Sequence, residues 1–345
     1  ASVRWYKAIN DDYPSRESTG WYPKANDTLS VTNAGKGTYY IQMQRKSGHG
    51  GYTLKYLFTP SKYSNDSEPN DEKGQGDEIA MGGTVQGHLG YRDATDYVDD
   101  NDWYKIVVPE DGRVDLIYNC EQTYELKLNW MDFRWYKASN NDYPSRESTG
   151  WYPNPSDTLT VDDAAKGTYY IQMQRKSGHG GYTLKYVFTR NSTPVDEEPN
   201  NEADQVTQVI ENDGIATGHL GYRDENDNTD KDDWFKLDTR NSGVMLVVTI
   251  ETDSISNLAF NWVDIIRVKD GKSNSVASSG WYPTGKISIT TNEVDEDATY
   301  YVHLQHKSGH GSYTVSYGSP QRHEGSQVRI TYLGRNTTRL GTPSP

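Results

Sequence analysis

The chain has almost no cysteine and no long hydrophobic run. Cys120 is the only cysteine among 345 residues, which excludes a disulfide framework and a zinc site built on paired cysteines. We expect it to be a small buried apolar side chain. A membrane-spanning helix needs about 20 consecutive apolar residues, so no membrane span is predicted.

Positive charge and catalytic motifs are also scarce. The 35 Lys and Arg residues face 49 Asp and Glu residues, and the formal net charge is -14. Nucleic-acid backbones require clustered cations, so nucleic acid is excluded as a partner and cations are favoured as ligands. The sequence has no nucleophile elbow, no His-Glu-x-x-His and no phosphate-binding loop, and we therefore predict that the protein is not an enzyme.

What the chain does have is aromatic residues arranged in a repeat. Its 27 Tyr and nine Trp residues supply the large apolar surfaces that a core needs. The phrase Gly-Trp-Tyr-Pro recurs at Trp21, Trp151 and Trp281. A second motif set, beginning with Glu-Pro-Asn at residues 68 and 198, alternates with it. A repeat of domain size predicts an array, with half a domain at 1–60, whole domains at 61–190 and 191–318, and a tail at 319–345.

Alternating apolar and polar residues predict strands rather than helices. The pattern is clear in Tyr-Tyr-Ile-Gln-Met-Gln-Arg from Tyr39 and in Tyr-Thr-Leu-Lys-Tyr from Tyr52. The glycines at 48–51 would close a hairpin between these two runs. Short strands separated by frequent turns predict an all-β fold, with an antiparallel β-sandwich in each unit.

The ordered motifs resemble a known family. Glu-Pro-Asn-Asp, an acidic loop ending in Asp-Trp, Gly-Thr-Tyr-Tyr-Ile and Ser-Gly-x-Gly-x-Tyr-Thr-Leu together resemble the bacterial pre-peptidase C-terminal domain, and are similar to the collagen-binding domain of clostridial collagenases. The resemblance covers residues 66–188 and 196–318, and residues 1–60 as a C-terminal half copy. It implies tandem jelly-roll-like sandwiches without catalytic activity.

The resemblance also implies Ca²⁺ as a cofactor, held between a linker segment and an acidic loop. Ca²⁺ takes six to eight oxygen ligands, which both segments supply. Two acidic segments would repel each other unless a cation joined them, although solvated acidic loops are the alternative. The implied ligands are Asp66, Glu68, Asn70, Asp71, Asp99 and Asp102 in one unit, and Asp196, Glu198, Asn200, Asn201, Asp230 and Asp233 in the next.

Four short motifs bear on localisation. Asn26, Asn65, Asn191 and Asn336 each begin an N-glycosylation sequon, which matters only on an exported protein. Together with the resemblance, they predict an extracellular or cell-surface protein.

The Gly-Trp-Tyr-Pro phrase admits two readings. Its tryptophan could be an exposed platform for sugar rings or an extracellular polypeptide, or it could plug the core at the end of a strand. Because the phrase reads as a turn that enters a strand, packing is favoured.

Three function classes remain open. The first is a self-assembling fibre or surface-layer subunit, in which a neighbouring chain completes the half domain at 1–60 by a head-to-tail contact. Residues 327–333 alternate like a strand, so they could be donated to a neighbour, with a disordered extension as the alternative. The other two classes are a carbohydrate- or protein-binding adhesin and an accessory module of a secreted hydrolase.

Overall fold

The computed structural model describes residues 2–5, 15–21, 23–135, 145–240, 245–253, 256–292 and 294–318. This part of the chain contains strands and turns but no helix, so the predicted all-β class is confirmed. Accordingly, no helix of membrane-spanning length and hydropathy occurs within these ranges. The predicted donor strand at 327–333 lies outside them.

Twenty strands occur within the described ranges. The first three are β1 (Ser2–Trp5), β2 (Ser15–Ser18) and β3 (Tyr39–Gln42). The next eight are β4 (Asp77–Glu78), β5 (Thr84–Leu89), β6 (Asn101–Val108), β7 (Gly112–Cys120), β8 (Tyr124–Trp135), β9 (Ser145–Ser148), β10 (Ser156–Ala164) and β11 (Gly167–Arg190). The last nine are β12 (Val209–Ile210), β13 (Ile215–Leu220), β14 (Asp232–Leu237), β15 (Leu246–Thr252), β16 (Ala259–Lys269), β17 (Lys272–Ser278), β18 (Ile287–Thr291), β19 (Thr299–Ser308) and β20 (Gly311–Gly318).

Strands β4 to β11 form two sheets that share one long strand. The first part of β11 pairs with β6 and β8, and its second part pairs with β5 and β7. Alternate residues of β11 point into the space between the sheets, and Tyr169, Ile171, Tyr182, Leu184 and Tyr186 are fully buried there. The period-2 alternation of the sequence therefore packs both sheets around one core. Cys120 is buried in that core, as predicted.

Strands β12 to β20 repeat this arrangement around a separate core. One sheet has the order β12, β14, β19, β16, β17, and the other has the order β13, β20, β15, β18. Two consecutive strands, β19 and β20, take the place of the single β11. Most strand pairs are antiparallel, and β12 with β14, like β4 with β6, is parallel. The tandem antiparallel sandwich is thus confirmed, and the domain boundaries stay predictions.

The first repeat contains a three-stranded sheet of order β2, β1, β3. The predicted strand from Tyr52 is wrong, because residues 43–60 form no strand and Tyr52, Leu54 and Tyr56 are 72%, 52% and 73% exposed. The matching part of β11 is hydrogen-bonded on both sides by β5 and β7. No counterpart of those two strands pairs with residues 52–56 in the described part of the chain.

Candidate metal sites

Each linker segment is held against the strand that follows the acidic loop. The backbone N–H of Trp103 donates to the carbonyl of Asn70 at 2.9 Å, and that of Trp234 donates to the carbonyl of Asn200 at 3.0 Å. These bonds bring the Glu-x-Asn segment beside Asp102 at the start of β6, and beside Asp233 at the start of β14. The two acidic segments that the sequence paired are therefore adjacent in space.

Two groups of three carboxylates result, one in each unit. Within each group, one oxygen from each residue lies within 4.8 Å of the others, a spacing that could hold a metal ion. The groups are Asp66, Glu68 and Asp102, and Asp196, Glu198 and Asp233.

Buried oxygen atoms without partners mark both groups. Asp102 and Asp233 are completely buried, and each accepts a hydrogen bond on Oδ2 from a tyrosine hydroxyl, Tyr182 or Tyr313. Their Oδ1 atoms are buried with no hydrogen-bond partner in the described part of the chain, and so are the side-chain oxygens of Asn70 and Asn200. A buried acceptor without a hydrogen bond costs free energy, so these oxygens indicate a place for a bound ligand.

Burial and mutual repulsion raise the pKa of three acidic side chains in and beside the first group. Burial raises the pKa of Asp99 to about 9, with further contributions from Glu68 and Asp66. Burial and then Asp66 raise the pKa of Glu68 to about 7. Asp102 also has its pKa raised well above the usual range, first by burial and then by Asp99. A bound cation would replace these protons, because ligating carboxylates are ionised.

The second group has the same electrostatics. Burial, followed by the charges of Glu198 and Asp196, raises the pKa of Asp230 to about 9. The pKa of Glu198 is raised to about 7 by burial and by Asp196. The pKa of Asp233 is raised well above its ordinary value, by burial first and then by Asp196 and Asp230.

The remaining implied ligands differ between the two units. Asp99 and Asp230 each have a buried Oδ1 without a partner in the described residues, as does Asp71. Asn201, the counterpart of Asp71, is exposed. The second site therefore lacks the carboxylate that Asp71 adds to the first, although each site has two aspartates and one glutamate at its centre.

The acidic loop of the second whole unit also contacts the unit before it, which sequence reasoning missed. The buried guanidinium of Arg146 donates to the Asp163 carboxylate at 2.7 Å and to the Arg223 carbonyl at 3.0 Å. Arg223 itself donates to Asp163 at 2.8 Å. Burial acts to raise the pKa of Asp163, but the two arginines outweigh it, and the pKa lies below the usual value.

The backbone part of this contact occurs at both junctions. The N–H of Arg223 donates to the Asp163 carbonyl at 2.9 Å, and the N–H of Arg92 donates to the Asn33 carbonyl at 2.9 Å. A tyrosine hydroxyl donates to the carbonyl of each arginine at 3.0 Å, from Tyr169 in one case and from Tyr39 in the other. The same loop thus carries a candidate metal ligand and a link to the preceding repeat.

The favoured packing role of the Gly-Trp-Tyr-Pro tryptophan is wrong. Trp21 is 92% exposed, and Trp151 and Trp281 are each 70% exposed.

The sequons differ in accessibility. Asn26 and Asn65 are exposed, whereas the amide nitrogen of Asn191 donates to the Asp111 carbonyl at 3.1 Å and its oxygen accepts from Tyr222. Asn336 lies outside the described residues.

Comparison with solved structures finds β-sandwich proteins. The chain is similar to the pre-peptidase C-terminal domain of a Bacillus anthracis collagenase, with 18% identity, 35% of this chain and 99% of that chain covered, and a TM-score of 0.23. It is also similar to the tandem CBM22 domains of Paenibacillus barcinonensis Xyn10C, at 6% identity, 70% and 92% coverage and a TM-score of 0.21. A third similar structure is PNGase F of Flavobacterium meningosepticum, with 10% identity, 69% of this chain and 97% of that chain covered, and a TM-score of 0.22.

No protein-family model matches the chain, and no curated protein is similar to it. The antiparallel β-sandwich that the pre-peptidase resemblance implies is present in the described strands themselves. The number of copies stays a prediction.

Proposed function

We propose that the chain is a non-catalytic, calcium-stabilised structural protein of the extracellular space. The observation that carries this proposal is that each carboxylate group contains a fully buried aspartate, Asp102 or Asp233, whose Oδ1 has no hydrogen-bond partner in the described residues. Calcium fits them because every donor is a hard oxygen and neither group contains a histidine or a thiolate.

Calcium in this position would fix one repeat against the next. Asp230 is hydrogen-bonded through its backbone to Tyr222, next to Arg223, so neutralising the acidic cluster holds the loop in the shape that meets Asp163. Asp99 and Arg92 stand in the same relation at the other junction. Calcium sites of extracellular modules bind with dissociation constants of about 10⁻⁴ to 10⁻³ M.

The test is calcium binding to the full chain after chelator treatment and dialysis. Isothermal titration should give two ions per chain. Asp102→Asn and Asp233→Asn should each remove one ion, and the double variant should bind none. Asp115→Asn is a control, because Asp115 pairs with Arg113 on β7, away from both clusters. Unchanged stoichiometry in the double variant would refute the assignment of these sites.

A self-assembling role is supported by the apolar residues that the first repeat leaves exposed. Tyr52, Leu54 and Tyr56 correspond to side chains that are fully buried in β11, and wet apolar surface costs about 25 cal/mol per Å². We infer that strands of another copy cover this segment, which makes a head-to-tail filament or surface layer.

Sedimentation of the full chain over a range of concentrations tests the assembly. Leu54→Lys should reduce the assembled fraction, whereas Thr53→Lys, on a neighbouring exposed residue, should not. Deleting residues 319–345 tests the predicted donor strand in the same assay. A chain that stays monomeric at all concentrations would overturn self-assembly and leave the calcium proposal intact.

A further inference from the structure

A shallow cleft lies at the same place in each whole unit, and none of the cluster carboxylates lines it. Each cleft has a volume of about 230 Å³. Each is lined by two tryptophans and an aspartate, namely Trp130, Asp132 and Trp151 in one unit and Trp262, Asp264 and Trp281 in the next.

The tryptophans have the same geometry in both clefts. The rings of Trp130 and Trp151 meet edge to face, with centroids 4.9 Å apart and planes at 86°. Trp262 and Trp281 meet at 5.0 Å and 83°. The outer indole of each pair is 70% exposed, so a large apolar ring face is open to solvent beside a second indole. An exposed aromatic held in a repeated geometry is typical of a binding surface.

The turn that carries the outer tryptophan is firmly held. In the first cleft, the N–H of Tyr152 donates to the Asn129 carbonyl at 2.8 Å, and the Thr149 hydroxyl accepts from the N–H of Met131 at 2.9 Å. Tyr152 has a positive φ of 61°, and Lys176 lies over its ring at 3.1 Å. A tyrosine in the left-handed region costs about 1 kcal/mol or more, and such strain concentrates at functional sites.

The second cleft repeats each of these contacts. The N–H of Tyr282 donates to the Asn261 carbonyl at 2.8 Å, and the Ser279 hydroxyl accepts from the N–H of Val263 at 2.9 Å. Tyr282 has a φ of 57°, and Lys307 lies over its ring at 3.6 Å. The indole is therefore positioned before any ligand arrives, which lowers the entropy that binding must overcome.

The polar side of the cleft selects the ligand. Asp132 pairs across the strands with Ser148, and Asp264 pairs with Ser278, so a carboxylate and a hydroxyl lie side by side in each cleft. Oδ1 of Asp264 has no hydrogen-bond partner in the described part of the chain. Arg134 also lines the first cleft and pairs with Asp132, so the charges balance there, whereas the residues that line the second cleft include no cation beside Asp264. In both clefts the carboxylate and hydroxyl oxygens accept hydrogen bonds from hydroxyl groups.

We propose that each cleft binds one ring of a neutral glycan, with the apolar face of the sugar on the exposed indole and its hydroxyls on the aspartate and serine. A sugar ring combines an apolar face with hydroxyl donors, which matches the two sides of the cleft. A proline-rich peptide would need a longer aromatic groove. The proposal goes beyond the calcium-dependent structural role and does not depend on it.

The test is titration of the full chain with neutral hexasaccharides of glucose, xylose, mannose and N-acetylglucosamine, followed by tryptophan fluorescence and calorimetry. At least one should bind with a stoichiometry of two. Trp151→Ala and Trp281→Ala should each lower the stoichiometry to one, because an aromatic anchor dominates such a small interface, and the double variant should show no saturable binding. On a long polysaccharide, losing one of two linked clefts should weaken binding by about 100-fold.

Two controls separate binding from folding. Trp21→Ala removes an exposed tryptophan that lines neither cleft, and it should leave binding unchanged. Asp264→Ala should abolish binding in one cleft, with the thermal midpoint unchanged within a few degrees. Absence of saturable binding by every hexasaccharide would overturn the proposal. So would binding that survives the double tryptophan change, or binding of a polyproline peptide alone.

Discussion

Asp233→Asn should have opposite effects on stability with and without calcium. The substitution replaces a fully buried carboxyl group, whose pKa is raised well above its ordinary value, with a neutral amide that keeps an oxygen able to accept the hydrogen bond from Tyr313. Without a cation, ionisation of Asp233 is unfavourable because Asp196 and Glu198 lie beside it. With calcium bound, the same charge is a ligand.

The magnitudes follow from the spacing of the carboxylates. At a separation of 4.8 Å, two ionised carboxylates repel each other by about 3.5 kcal/mol at an effective dielectric constant of about 20. Asp233 takes part in two such pairs. The repulsion in the two pairs together is comparable to the free energy of unfolding of a small domain, about 5 to 15 kcal/mol. Retained protons relieve most of this repulsion, so we expect the metal-free variant to be more stable by about 1 to 3 kcal/mol at pH 8.

Calcium reverses the order of stability. A ligand that binds only the folded state adds about 2.7 kcal/mol at a hundred times its dissociation constant. The normal unit should gain this free energy and the Asp233→Asn unit should not. For a unit of this size, a gain of about 2.7 kcal/mol should raise the thermal midpoint by about 10 °C.

The assay is differential scanning calorimetry of the full chain at pH 8, in chelator and in calcium. Asp232→Asn is the matched control, because Asp232 pairs with His303 at 2.9 Å beside the cluster and should not alter the calcium response. The reasoning is refuted if Asp233→Asn lowers the midpoint equally in both conditions, or if the calcium response persists in that unit.

Further predictions concern pH, the junction, glycosylation and helix content. In the metal-free protein the raised pKa values of Glu68 and Asp99 keep protons on the folded state that the unfolded chain has already released. The free energy of unfolding, measured with denaturant, should therefore fall as pH rises from about 4 to about 9, and a flat profile would contradict this. Arg146→Ala should destabilise its unit by about 1.5 to 3 kcal/mol in urea melts, because the half-buried Asp163 loses one charged partner and keeps Arg223, while an unchanged midpoint would show that the contact adds nothing. Mass spectrometry of chain secreted from a glycosylating host should find glycan at Asn65 rather than at Asn191, whose amide is hydrogen-bonded, and full occupancy of Asn191 would be the contrary result. Far-ultraviolet circular dichroism of the full chain should show strand without substantial helix, and a clear helical signal would contradict the fold.

The sequence by itself determined the features that depend on local pattern and period. The alternation from Tyr39 and the repeated Gly-Trp-Tyr-Pro phrase predicted strands in tandem units, because strand pairing needs a period of two and a repeat needs a repeated core. The resemblance to the pre-peptidase C-terminal domain also implied which carboxylates belong together, and the recurrence of Glu-Pro-Asn in step with an acidic loop favoured a cation there.

Only the tertiary structure decided how distant segments meet. The same alternation forms a buried strand at Tyr182 and an exposed irregular segment at Tyr52, because pairing partners from elsewhere in the chain decide whether a strand forms. The link between Arg146 and Arg223 and the meeting of Trp130 with Trp151 likewise join residues that are far apart in sequence. Such contacts depend on sheet register and turn geometry, which local residue preferences do not specify.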